Sequence, residues 1–170
     1  SKYFIPNLVN VFIRQGNNQK AMEYLDEAIK NDPTNACDLN SVKGALLAEK
    51  GEFAAAEAEY NKALAQDANC ERALEALAVN FILQAQNLKE KTATITDRKM
   101  QLENDKKTVE FYQAALPHLE KFTQLLKDRN ADKTEIDGAL RKLRNVYYNL
   151  SRMGVDKSVQ LKEVEKELGL

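Results

Sequence analysis

The sequence predicts an all-α chain, a solenoid of stacked helical hairpins, on three observations. Only 6 Gly and 3 Pro occur in 170 residues, about half the usual share, which favours long helices over a turn-rich β fold. Apolar residues recur at i, i+4, i+7 and i+8, the spacing of one helix face. Apolar and turn residues also return at a fixed interval of 35, a period typical of two-helix repeats.

Gly16, Ala21, Leu25, Ala28, Ile29 and Pro33 align with Gly51, Ala56, Tyr60, Ala63, Leu64 and Ala68, and Asp32-Pro33-Thr34-Asn35 returns as Asp67-Ala68-Asn69-Cys70. The preceding segment recurs more loosely: Ile5, Leu8, Val9 and Phe12 match Asn40, Lys43, Gly44 and Leu47, then Leu74, Leu77, Ala78 and Phe81. Each unit reads as two helices. Ala21 and Ala28 let them approach closely, and Leu25 supplies bulk. Gly16-Asn17-Asn18 and Gly51-Glu52 suit a turn between them, because Gly tolerates the left-handed position that ends a helix and Asn can cap the next. Asp32-Pro33 closes the first unit, since the residue before proline resists helix.

Repeat 1 covers residues 2–36 and repeat 2 residues 37–70. Repeat 3, residues 71–130, departs from schedule. Its first helix begins near Arg72 and its apolar pattern reaches Leu88; a polar stretch, Lys89 to Lys107, follows before Val109, Tyr112, Ala115, Leu116, Leu119, Phe122, Leu125 and Leu126 resume it. Both helices are therefore expected to be lengthened into a projecting hairpin, with Pro117 kinking the second. Residues 133–170 hold a partial repeat and a cap. One helix is expected over about Thr134 to Met153, with Ile136, Leu140, Leu143, Tyr147 and Leu150 inward and Gly154 ending it. The last, Val159 to Leu168, turns Leu161, Val164 and Leu168 inward and clothes its other face in charge, as a terminal cap must.

The charge balance is 25 Lys plus Arg against 26 Asp plus Glu, a net of -1, without the basic excess that nucleic-acid or anionic-membrane surfaces use. No run of apolar residues approaches the roughly 20 that a spanning helix requires. The sequence opens on Ser1 without an initiator Met, which predicts a start inside a longer gene product or after a removed segment.

Residues that could carry chemistry read as structural. The one imidazole, His118, has no Cys or second His nearby to complete a metal set. No Ser sits in a G-x-S-x-G elbow, and the Gly residues are too scattered for a phosphate-cradling loop. Acidic pairs such as Asp26 with Glu27 and Glu57 with Glu59 are expected on solvated helix faces. Arg98-Lys99 and Lys106-Lys107 form the densest basic cluster, but Asp97, Glu103 and Asp105 interleave it, so a charged solvent face is expected. Tyr112, Tyr147 and Tyr148 follow helical patterns and are read as packing residues. Cys37 and Cys70 are expected to be separate thiols, because adjacent helices pack about 8–10 Å apart against a limit of about 7 Å for a disulfide. No cofactor, metal or catalysis is expected.

On Leu8, Phe12, Gly16, Ala21, Leu25, Ala28 and Pro33, and on Gly44, Leu47, Gly51, Ala56, Tyr60, Ala63 and Leu64, the chain resembles the tetratricopeptide repeat (TPR) family over residues 2–83. The segment from Phe111 to Phe122, with its Ala-Leu-Pro run, resembles TPR proteins of bacterial envelopes, which sets an extracytoplasmic compartment ahead of the cytoplasm. The resemblance implies a right-handed solenoid whose concave wall binds an extended or helical peptide. Carried over residue by residue, that wall comprises Asn10, Ile13, Asp38, Ser41, Ala45, Ala48, Arg72, Glu75, Val79, Ile82, Arg141, Asn145 and Tyr148. Asn10 and Arg72 fit the carboxylate clamp of the chaperone-binding subset, but Pro6, Val42 and Ala76 stand at its other positions, so no such clamp is expected. The expected function is a protein-interaction scaffold with a protein or peptide ligand, no nucleic acid and no membrane insertion. The alternative is a structural self-association module, a homo-oligomer built through the hairpin or the last helix.

Overall fold

The computed structural model describes residues 4–170, with the side chains of residues 4–7 and of Asn10 outside the described residues. Among the described residues the regular structure is entirely helical: α1 (Phe4–Arg14), α2 (Asn18–Asn31), α3 (Ala36–Glu49), α4 (Phe53–Gln66), α5 (Glu71–Ala93), α6 (Arg98–Asp128), α7 (Lys133–Arg152) and α8 (Ser158–Leu168), with a short 3-10 turn at Pro33–Asn35. The chain divides into two compact units, Ser1–Ala76 and Leu77–Leu170, the boundary falling inside α5.

In the first unit the 35-residue interval is written in the backbone. Gly16 and Gly51 both lie in the left-handed region, at φ 69° and 78°. Each donates to the carbonyl three residues back (Ile13, Ala48), and the next residue donates to the one five back (Asn17 to Phe12, Glu52 to Leu47). Those bonds satisfy the carbonyls orphaned where a helix ends. Asp32 and Asp67 close α2 and α4 at the same φ, -139°, and donate to Ala28 and Ala63. The Asn17 side chain caps α2 by accepting from the Lys20 amide. Val9, Ala21, Leu25, Ala28, Leu39 and Leu46 form one apolar cluster, with Phe12 and Ile13 packed against it.

Cys37 and Cys70 are joined in a disulfide, with Cα atoms 5.9 Å apart. This overturns the expectation of two separate thiols. The interaxial distance was the wrong measure. Each Cα stands about 2.3 Å off its helix axis, so atoms facing each other across helices 8–10 Å apart come within bonding range. The bond ties the first turn of α3 to the residue preceding α5.

Asp26 and Glu27 are exposed as expected, but Glu59 needs correction. Glu59 is buried, with Lys43 Nζ 3.5 Å and Lys62 Nζ 2.8 Å from its Oε1. Asp26 is exposed and pairs with Lys43 at 2.5 Å. A buried carboxylate keeps its charge only beside compensating cations, and Lys43 supplies one from α3.

α5, which crosses the boundary, and α6 are the two longest helices, 23 and 31 residues, with Asp97 capping α6 through the Met100 amide. α6 continues through Pro117 without interruption; the carbonyl left without its helical donor belongs to Gln113, which is exposed to water. Tyr112, Ala115, Leu119, Phe122 and Leu126 of α6 are buried, as are Leu140, Leu143, Tyr147 and Leu150 of α7 and Val164 of α8. The helix expected at Thr134–Met153 spans Lys133–Arg152, and Gly154, at φ 89°, ends it. Asn130, at φ 53°, plays the same part after α6, since a short polar side chain tolerates the left-handed region better than most.

Candidate functional site

Two surfaces carry the residues expected on a binding wall, one in each unit. In the first unit, Asp38 of α3 and Arg72 of α5 are exposed and face each other, Nε to Oδ1 at 3.7 Å. They sit one and two residues from the bridged cysteines, so the disulfide holds together the helix ends that present them. Ala45 is exposed, and Glu75 and Ala48 are half-buried. Ser41 does not reach the surface: it is 1% exposed, its hydroxyl donating to the Cys37 carbonyl at 2.7 Å. Ile13 packs against the apolar cluster. The Asn10 side chain lies outside the described residues.

In the second unit the expected residues converge. Val79 and Ile82 of α5, and Arg141 and Asn145 of α7, line one open depression of about 450 Å³, joined by Leu83, Gln86, Gly138 and Lys142. The spacing explains the convergence. Residues 79, 82, 83 and 86, and residues 138, 141, 142 and 145, each follow i, i+3, i+4, i+7, one face of a helix. Val79, Ile82 and Leu83 give apolar contact, while Arg141 and Lys142 supply positive charge at the side. Tyr148, one turn beyond Asn145, is half exposed. The four residues missed in the sequence lie on the same helix faces as those found, so extending each face by the i, i+3, i+4 rule would have recovered them.

Gly138 shapes this depression. A Cβ built there meets nothing within 4 Å, so no packing constraint requires Gly. Alanine would favour the helix by about 1 kcal/mol. What the missing side chain leaves is open space in the wall.

His118 of α6 is half-buried and stacks on Phe81 of α5, ring centroids 6.2 Å apart. Burial, helped by the nearby Lys121 ammonium, lowers its pKa below the usual imidazole value. Tyr147 donates to Glu120 Oε1 at 2.7 Å; burial, then that bond, raises its pKa. Among the described residues no group of three His, Cys, Asp or Glu is placed to hold a metal ion, and no helix is long and apolar enough to cross a membrane.

No family model matches this chain, and no curated protein matches it.

Proposed function

We propose that this chain is a protein-interaction scaffold of the tetratricopeptide class, a right-handed solenoid that receives an extended or helical peptide. The observation that carries the reading is the depression between α5 and α7: a partly apolar surface, two cations at its side, and a glycine where no packing demands one. The 35-residue recurrence of turn geometry at Gly16 and Gly51, and of helix closure at Asp32 and Asp67, supports the repeat class. The compartment proposed with this reading is extracytoplasmic, an oxidising setting in which a bond such as Cys37–Cys70 would persist.

Selection of a displayed random-peptide library on the immobilised chain tests the reading. Enriched peptides should bind saturably in fluorescence anisotropy. Gly138→Phe, which fills the depression, and Arg141→Glu should each weaken them about tenfold or more, with no fall in the thermal midpoint. Enriched peptides that bind Gly138→Phe as well as the wild type, or a library that yields none, would reject it.

One observation favours self-association as a second reading. Val159 of α8 and the terminal Leu170 are 65% and 69% exposed, an apolar offering at the end of the chain. Sedimentation equilibrium should then show a dimer that Val159→Glu dissociates; a monomer at high concentration removes this reading.

A further inference from the structure

A second depression lies elsewhere in the Leu77–Leu170 unit, with a different character. About 440 Å³ in volume, it falls within the roughly 300–1,000 Å³ of small-molecule clefts. Lys89 of α5, Asp105, Lys106 and Val109 of α6, and Arg152 and Met153 at the end of α7 line it. Three cations from three helices thus meet one carboxylate, a local charge of +2 in a chain whose formal net charge is -1.

Internal structure does not use that charge. No salt bridge involves Lys89, Lys106 or Arg152 among the described residues, and Lys89 donates only to the neutral Asn149 side chain at 3.1 Å. Nor is Arg152 needed to close α7: its last carbonyls already accept from the Met153, Gly154 and Val155 amides. Like charges gathered without a partner repel, and a bound anion relieves that repulsion.

We infer that this depression is a binding site for a phosphoryl group, carried by a small phosphate monoester or by a lipid headgroup. A phosphate monoester carries about -1.5 to -2 at pH 7, which balances the +2. Arg152 can offer its planar fork to two phosphate oxygens and Lys106 a point charge, while Val109 and Met153 contact the ester's carbon portion. The site is separate from the α5–α7 depression and does not depend on the peptide-binding reading.

Phenyl phosphate, titrated into the full chain and followed by amide chemical shifts, tests the soluble source. Vesicles of phosphatidylcholine containing phosphatidic acid, in a co-sedimentation assay, test the lipid source. Saturable shifts at Val109, Arg152 and Met153 are expected with the first probe if the ligand is soluble, and sedimentation with the second if it is a headgroup. In whichever assay responds, Lys106→Glu and Arg152→Glu should each weaken binding about tenfold, and Asp105→Asn should strengthen it severalfold. Lys99→Glu, an exposed charge reversal outside the depression, should change it less than twofold. Circular dichroism establishes that each variant is folded. No response to either probe, or equal losses from Lys99→Glu and Arg152→Glu, overturns the inference.

Discussion

The ring of Tyr60 in α4 lies directly against the bare Cα of Gly44 in α3: a Cβ added to Gly44 would stand 2.7 Å from Tyr60 Cδ1 and 2.8 Å from Cζ. No real contact of that kind is so short. Tyr60 is 2% exposed and has little room to retreat. Burial, with the Glu49 carboxylate nearby, pushes its phenol pKa up to about 12. Gly44→Ala should therefore destabilise the chain by up to about 2 kcal/mol, the overpacking cost of roughly 1–3 kcal/mol less the ~1 kcal/mol that alanine gains in a helix. Urea unfolding measures it, and Tyr60→Leu in the same background should recover part of the loss.

The disulfide makes a larger prediction. It closes a loop with a sequence separation of 33, which in the chain-entropy account contributes about 3–4 kcal/mol by restricting the unfolded state. The thermal midpoint should fall by several degrees with reductant, and Cys37→Ser/Cys70→Ser should melt at the reduced protein's temperature in either condition. Alkylation after denaturation without reductant should label no thiol.

Lys43 and Glu59 allow a double-mutant cycle. Lys43 is almost enclosed and Glu59 Oε2 has no hydrogen-bond partner among the described residues, so Lys43→Met leaves a buried carboxylate served only by Lys62. The expected loss is about 2–4 kcal/mol. Glu59→Leu added to Lys43→Met should restore most of it, since removing both charges also removes their burial cost. Chemical denaturation of the four proteins gives the coupling.

His118 predicts a pH dependence. Its pKa is lowered on folding, so the unfolded chain binds the proton more readily. The stability this group contributes is present above the unfolded value of about 6.5 and is lost as pH falls through the lower, folded pKa. His118→Phe keeps a ring over Phe81 and cannot titrate. Between pH 7.5 and pH 5 the wild type should lose more thermal stability than this variant.

The helices were legible because each is specified locally. The Gly16 and Gly51 turns, the Asp32 closure and the stop at Gly154 depend on backbone preferences of a few adjacent residues, and the apolar stripes of α2, α6 and α7 on spacing within one helix. The binding-wall residues were only partly legible. Val79, Ile82, Arg141 and Asn145 share a depression, but Ser41, expected on the same wall from α3, is buried against the bridged cysteines. Periodicity says which residues share a face, not which neighbour covers it.

By itself, the sequence determined the all-helical character, the 35-residue recurrence, the turns and most helix boundaries, all consequences of contacts within a few residues along the chain. Only the tertiary structure decided that Cys37 reaches Cys70, that Gly44 is required by Tyr60, that Glu59 is buried beside Lys43, and that Lys89, Lys106 and Arg152 gather at one depression. Each of those depends on side chains at least 16 residues apart in the sequence, brought together by the packing of separate helices, and local propensity carries no record of that distance.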